Sequence, residues 1–466
     1  PSAASAQIGA ANTGAQQDTR AATLREYLSA AAGLGHLNGS ILVAERGTIF
    51  VDTAYGFANM ELGVRNTPET RFRVASVSKQ FTAMAVLMLA SDGKLRLSDP
   101  ISMYLDSLPG EWAGITIHHL LRHTSGISDY EGWFGGYSTQ AYSDYMSQEH
   151  AAERIARDAR RRPLDFEPGS KFSYSNSAYI LLGFIIERAA GMPYEQFLHE
   201  RIMVPVGMMS SAQDRSDLIT PGRAQGYQLR EGAYPIAYFN GLARTDYRNA
   251  VYQLMEPPQA DAGLITTARD LYKWDQALYT DDLIARAMLD SMFTPGLGRY
   301  GYGWFINNGK DGVTHEHSGG LPGFGCYIMR IPDSQRTIIL LGNLGRTGRT
   351  VRDVAAIMRG ERVAMPKARH VVENDSARDA ALAGWYRISA GDSVRAFQED
   401  GGFGLHWPEH FRVQLLAESD GNYFAAQLGG VARFSRSAGG MTLVVEDALG
   451  EPLLTALRTR GRDERE

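Results

Sequence analysis

Two stretches of this chain, Phe81 to Leu89 and Ala178 to Ile186, carry almost no polar side chain. A helix that is apolar all round cannot lie on a surface, so other elements must enclose it. Each stretch has a polar approach. Arg73-Val74-Ala75-Ser76-Val77-Ser78-Lys79 leads into the first, and Pro168-Gly169-Ser170-Lys171-Phe172-Ser173-Tyr174-Ser175-Asn176 leads into the second. Ser76 and Lys79 stand three apart, so one helical turn sets the hydroxyl and the amine on the same side. A hydroxyl is a weak nucleophile without a base beside it. A Lys held against apolar walls sheds its charge readily and can be that base. The same spacing also describes a Ser at a helix start beside a solvated Lys, so the pair alone decides nothing.

The period of the pattern changes along the chain. Leu24, Tyr27 and Leu28 recur at helical spacing, and Asp18-Thr19 offers a cap. Ser40 to Ala44 and Thr48 to Val51 read as strands joined at Glu45-Arg46-Gly47. From Ile101 to about Gly207 the pattern is mainly helical, with Gly93 and Gly191 suited to left-handed helix ends. Asn176 can serve as the cap of the second buried helix. Residues 210–260 read as a long irregular excursion of the kind that walls a pocket. Thr267 and Asp270 form a capping box. A period of two then returns in Tyr302 to Phe305, Val313 to Ser318, Gly325 to Ile331 and Thr337 to Leu341, with a turn at Pro332 to Gln335. Closing strands paired beside the opening ones predict one mostly antiparallel sheet covered by helices.

Past Gly360 the composition shifts. Residues 361–380 read as a polar linker ending in a short helix. From Leu382 to Arg458, strand-like runs alternate with turns at Ala390-Gly391, Asp400-Gly401, Pro408-Glu409, Asp420-Gly421, Gly429-Gly430, Gly439-Gly440 and Ala448-Leu449-Gly450. That pattern predicts a small up-and-down barrel of eight strands, which closes its own edges. The expected fold class is thus α/β plus all-β. Its expected parts are a disordered leader over 1–20, a first domain over 21–360, a linker over 361–380 and a barrel over 381–460.

The net charge of -5 and the pI of about 6.2 do not suggest nucleic acid or an acidic membrane as partner. No run is long and apolar enough to span a membrane. The single cysteine, Cys326, rules out an internal disulfide and reads as packing. Ala4-Ser5-Ala6 matches the end of a secretory signal, so a periplasmic or secreted location is expected, with a flexible tail in a cytoplasmic protein as the alternative. His119 and His123 have the spacing of two metal ligands on a helix. No Glu follows His119 and no third ligand is evident, so both read as helix-face and cap residues and no metal or cofactor is expected. No Gly-x-Ser-x-Gly elbow, His-Glu-x-x-His or Walker loop is present.

Three separated features remain: Ser76-x-x-Lys79, Tyr174-Ser175-Asn176 and His317-Ser318-Gly319. With His119-Leu120-Leu121-Arg122-His123-Thr124-Ser125-Gly126 and Gly320-Leu321-Pro322-Gly323-Phe324, they make residues 22–360 resemble the serine β-lactamase and penicillin-binding-protein superfamily. The nearest groups are class C β-lactamases, DD-peptidases, D-aminopeptidases and family VIII esterases. The resemblance implies a β-lactamase-like domain with a helical subdomain, and roles for particular residues. Ser76 would form an acyl-enzyme, Lys79 would help deprotonate it, and Tyr174 would relay its proton, favoured as phenolate by nearby ammonium groups. Asn176 would bind Lys79 and the substrate amide. The backbone N–H groups of Ser76 and Gly320 would form the oxyanion hole. His317, Ser318 and Gly319 stand where β-lactamases carry Lys-Thr-Gly. A largely neutral His lacks the cation that grips a β-lactam carboxylate, so the resemblance implies peptide amide hydrolysis, with D-amino-acid-containing peptides as substrates. A carboxylesterase on short acyl esters is the alternative. A β-lactamase and an inactive peptide-binding module stand behind it. The C-terminal run resembles, through Leu382-Ala383-Gly384-Trp385-Tyr386, the lipocalin-like domain of some relatives, with a structural role. The oligomeric state stays open.

Overall fold

The computed structural model describes residues 19–459 except 137–138, 346, 389–391, 400–401, 407–411 and 438–439. Residues 1–18 of the leader expected over 1–20 and several expected barrel turns (Ala390-Gly391, Asp400-Gly401, Pro408-Glu409 and Gly439) lie outside those residues, whereas 19 and 20 are helical. The chain forms two compact units. The first takes 37–228 and 247–359 with the N-terminal residues up to 28. The second takes 360–466 together with 29–36 and 229–246.

The first unit is built on a six-stranded antiparallel sheet. Its strands are β1 (Gly39–Glu45), β2 (Thr48–Tyr55), β3 (Phe305–Gly309), β4 (Gly312–Leu321), β5 (Phe324–Ile331) and β6 (Arg336–Gly342), in the order β3-β4-β5-β6-β1-β2. The closing strands therefore pair with the opening ones, Gly39 opposite Gly342 and Glu45 opposite Arg336. The expected strand over Tyr302 to Phe305 starts only at Phe305. Gly303 sits at φ +76 and a Cβ there would lie 2.7 Å from the Lys79 carbonyl oxygen, so this segment bends to pass that backbone.

Residues 19–33 form α1, whose Leu24, Tyr27 and Leu28 are buried. The two apolar runs form α2 (Lys79–Ser91) and, after the short α3 (Ile117–Leu121), α4 (Asn176–Ala190). α2 and α4 pack on one another, and every residue from Phe81 to Leu89 is buried. Helix α5 (Ala268–Ala277) lies against β1 and β6, its Thr267 hydroxyl accepting the Asp270 N–H as a cap. One buried ion pair ties it to the sheet. Arg330 Nε donates to Asp275 Oδ1 at 2.8 Å, and Thr337 donates to the other carboxylate oxygen at 2.5 Å.

In the second unit, strands β7 (Gly384–Ile388), β8 (Ser393–Glu399), β9 (Gly402–His406), β10 (Arg412–Ala417), β11 (Tyr423–Ala425), β12 (Gly430–Ser437), β13 (Gly440–Glu446) and β14 (Pro452–Arg458) close in sequence order into a barrel. Tyr386 and Tyr423 each meet Phe434 edge to face inside it, Phe403 packs tilted against Tyr423 and Phe434, and the four help fill it with side chains. The segment ahead of the barrel is pinned to part of the 210–260 excursion. The Asn240 amide bonds both the carbonyl and the N–H of Val371, at 2.8 and 2.7 Å.

Asp275 and Arg330 are both fully enclosed, so removing one strands the other. Asp275→Ala is expected to cost the first unit about 3–5 kcal/mol. Denaturant unfolding followed by tryptophan fluorescence measures it, and a loss below about 1 kcal/mol would show that Arg330 finds another partner.

Candidate active site

A single 3-10 turn, Ala75–Ser78, carries Ser76 into α2. Ala75 holds φ +49, a left-handed conformation that a residue with a Cβ adopts only when its surroundings enforce it. Gly319 of β4 does so. A Cβ on it would fall 2.1 Å from the Val74 carbonyl oxygen and 3.2 Å from Ala75 Cβ. Glycine thus lets β4 lie directly on the turn, and its neighbour Gly320 is exposed with open space above it. Pairing of β4 with β3 ends at Glu316, so past that point the strand's outer edge has no strand beside it. The backbones of Ser76 and Gly320 are thereby brought near one another at an open edge, a setting in which two N–H groups can hold an oxyanion.

Lys79 has no exposed surface. Its ammonium donates to Ser76 Oγ at 3.0 Å, Asn176 Oδ1 at 2.6 Å and the Asp261 carbonyl at 2.9 Å. It also lies over the rings of Tyr174 and Tyr179, 5.0 and 5.5 Å from their centroids. Burial pushes its pKa down to about 8 against the pull of Asp261, Glu131 and Asp129. A neutral amine keeps two N–H groups and gains a lone pair. The two can stay on Asn176 and Asp261 while the lone pair turns to Ser76, from which it can take a proton.

Asn176 is the first residue of α4 rather than its cap. Ser175 caps the helix, its hydroxyl accepting the Ala178 N–H at 3.2 Å, which leaves the Asn176 side chain to Lys79. The Asn176 N–H donates to Asp129 at 2.8 Å. The Tyr174 hydroxyl is buried and makes no hydrogen bond of ordinary geometry among the described residues. Burial raises its pKa well above the usual value, outweighing the nearby Ser76 hydroxyl. This corrects the expected phenolate. Lys79 lies over the face of the ring, and the resting group is a neutral phenol.

His317 is 2% exposed. Its Nδ1 contacts the Ser318 carbonyl at 2.6 Å, and a carbonyl only accepts, so Nδ1 carries the proton. Nε2 then accepts from the Tyr300 hydroxyl at 3.0 Å. Burial and the Lys79 charge push its pKa down to about 3. Both ring nitrogens are spent within the protein. The expectation of a substrate-binding group therefore becomes a neutral wall beside the cleft, while Ser318 on the same strand is exposed.

The sequence reading missed Asp129, Glu131 and Asp261. Burial pushes Asp129 up to about 6 and Glu131 up to about 7, and it raises Asp261, which accepts from Tyr130 at 2.9 Å and Gln259 at 3.1 Å. An acidic pair that follows shortly after His123-Thr124-Ser125-Gly126 without a helical period was the available signal. His119 does cap a helix, exchanging two bonds with Thr116 at 3.3 Å. His123 lies beyond α3, fully buried, with its ring against Tyr174, which corrects the helix-face expectation. Cys326 donates to the Arg73 carbonyl at 3.3 Å, and burial pushes its thiol up to about 12, so it packs as a neutral group.

A protein-family profile described as Beta-lactamase matches residues 21–360. The chain belongs to that family. Its members are serine hydrolases, and the three motifs above sit within the matched region. Penicillin-binding protein 4* of Bacillus subtilis (strain 168) is 30% identical over 421 residues, 85% of this chain and 90% of that protein. The penicillin binding protein from Bacillus halodurans superposes with TM-score 0.61 at 27% identity, covering 71% of this chain and 98% of that one. The D-amino acid amidase from Ochrobactrum anthropi SV3 complexed with D-phenylalanine shares the fold, with TM-score 0.59 at 23% identity over 73% of this chain and 100% of that one.

An arginine at position 79 keeps its proton at every accessible pH. Lys79→Arg is therefore expected to slow acylation by about a thousandfold or more. If Lys79 is the base for Ser76, only its unprotonated form can act, so kcat/KM on an uncharged ester should climb as pH rises and level off above about 8. A profile flat from pH 6 to 9 would contradict a basic role for Lys79.

Proposed function

We propose that the chain cleaves the amide bond that follows a D-residue with a free ammonium group, through an acyl-enzyme on Ser76. The observation that carries this reading is the charge around Lys79: the groups that act on it are three carboxyls, Asp261, Glu131 and Asp129. Asp129 and Glu131 are only half-buried. Carboxylates there attract a substrate ammonium and repel a substrate carboxylate. His317, held neutral, supplies no counter-charge for a carboxylate. The D configuration rests on the resemblance to DD-peptidases and D-aminopeptidases.

Ser76 Oγ attacks the carbonyl carbon as its proton passes to Lys79. The oxyanion forms against the backbone of Ser76 and Gly320. Tyr174, a neutral phenol, gives its proton to the departing amine and is resupplied from Lys79. A raised phenol pKa suits a donor to an amine leaving group, whereas an activated ester needs no such proton.

D-Alanine p-nitroanilide should be cleaved with kcat/KM about tenfold or more above its N-acetyl derivative, the scale of a charge-assisted hydrogen bond. That preference should peak at about pH 7 to 8, fade towards pH 5 as Glu131 and Asp129 take up protons, and fall above about 8 as the substrate ammonium loses its own. Glu131→Gln should narrow it, and Ser76→Ala should remove about a thousandfold or more of turnover. Turnover of p-nitrophenyl esters with no amide cleavage would instead make the chain a carboxylesterase.

A further inference from the structure

His123 takes no part in the chemistry above, yet its ring lies in the site. It follows α3 at φ +56, a left-handed conformation, and is fully buried. Its backbone carbonyl accepts the Ser173 N–H at 2.9 Å. Its ring Nδ1 accepts the Ser175 N–H at 3.0 Å. The residue between those two donors is Tyr174, whose ring centroid lies 4.2 Å from that of His123 at an interplanar angle of 33°. One side chain and its own carbonyl thus grip the backbone on both sides of Tyr174 and press on its ring. A backbone N–H can only donate, so Nδ1 must be unprotonated, and the neutral ring carries its proton on Nε2. That Nε2–H has no hydrogen-bond partner among the described residues. A buried donor without a partner is costly. A histidine here is therefore not explained by satisfying its own polar groups, and the acceptor it offers at Nδ1 is what the site uses.

We infer that His123 is a positioning residue for Tyr174. Its neutral ring and its carbonyl fix residues 173–175 so that the Tyr174 phenol is held towards Ser76. This rests on the reading of Ser76 as nucleophile and Tyr174 as proton donor. An asparagine tolerates a left-handed backbone and presents an acceptor at about the place of Nδ1, whereas phenylalanine keeps a stacking ring and offers no acceptor.

The test is a double-substitution cycle read by turnover of D-alanine p-nitroanilide, with turnover of p-nitrophenyl acetate and fluorophosphonate labelling of Ser76 beside it. His123→Phe is expected to slow amide turnover by about ten- to a hundredfold, the lower part of the range for general acid–base help, and labelling, which expels fluoride, by much less. Ester turnover, which needs no proton on its leaving group, should fall by much less. His123→Asn should recover most of the loss. In a Tyr174→Phe background, His123→Phe should add little, since residues that act as a unit are not additive. Near-ultraviolet circular dichroism of each variant reports the fold. Full multiplication of the two effects, equal loss on amide and ester, or an asparagine variant as slow as the phenylalanine one would each overturn the inference. If the unmodified chain is not labelled at Ser76, the hydrolase reading fails, and the inference fails with it. Labelling without amide turnover sinks the amide reading, and with it the proton donation on which the inference rests.

Discussion

Lys79 is a cation with no contact with water. Moving an ammonium out of solvent costs several kcal/mol even after the protein relaxes. The site offsets that cost with three hydrogen-bond acceptors, two aromatic faces and three carboxyls. The compensation is partial, and a pKa near 8 measures what is left. The carboxyls depend on Lys79 in return. Burial raises Asp129, Glu131 and Asp261, and the Lys79 charge draws all three back down, in Asp129 after the Asn176 N–H. The four groups therefore titrate as one coupled set, and a proton lost by Lys79 to solvent or gained from Ser76 changes the affinity of the other three.

Such a cluster works only if the turn that carries Ser76 and Lys79 cannot drift, and the restraint comes from backbone rather than side chains. Gly319 admits the Val74 carbonyl on one side, and Gly303 admits the Lys79 carbonyl on another. Any Cβ at either place would meet main-chain oxygen, which cannot rotate away. The left-handed Ala75 is the conformational cost of this arrangement, about 1–2 kcal/mol. It holds the turn that carries Ser76 against β4 at Gly319, next to Gly320. Residues 302–304 illustrate the same priority. Their alternating pattern suits a strand, but the approach to α2 takes precedence and pairing begins only at Phe305.

The parts of the molecule legible in the sequence are those whose physics is local or periodic. The apolar runs of α2 and α4, the period of two in β4 to β6 and the regular turns of the barrel could be read without any knowledge of contacts. So could Ser76 and Lys79, because one helical turn fixes their relation. Tyr174, Asn176 and His317 were found through a resemblance, since no period links residue 79 to residue 174. Asp129 and Glu131 left only an aperiodic acidic pair, and Asp261 nothing, because their role is to act on Lys79 across the interior, a relation set by tertiary packing. His123 was misread for a related reason. Its spacing from His119 follows a helix, but α3 ends at Leu121, and the left-handed turn that follows sends the ring into the site.

Two histidines border the site, and both are held neutral in opposite tautomers. His317 carries its proton on Nδ1 because a carbonyl faces it, and His123 on Nε2 because an amide N–H faces Nδ1. In both, burial does most of the work and the Lys79 charge adds to it. A protonated ring at either place would set a second positive charge close to that of Lys79. Excluding that charge keeps both rings out of the proton transfers proposed for Ser76, Lys79 and Tyr174. It also determines what a substrate meets. Beside β4 lies an aromatic wall, with Tyr174, Tyr300 and Phe305 centred 6.2, 5.8 and 5.3 Å from His317. Beside Lys79 lie the carboxyls. A molecule whose positive end turns to Asp129 and Glu131 and whose apolar end turns to β4 matches both walls, whereas one whose carboxylate must rest beside β4 finds no charge there to hold it.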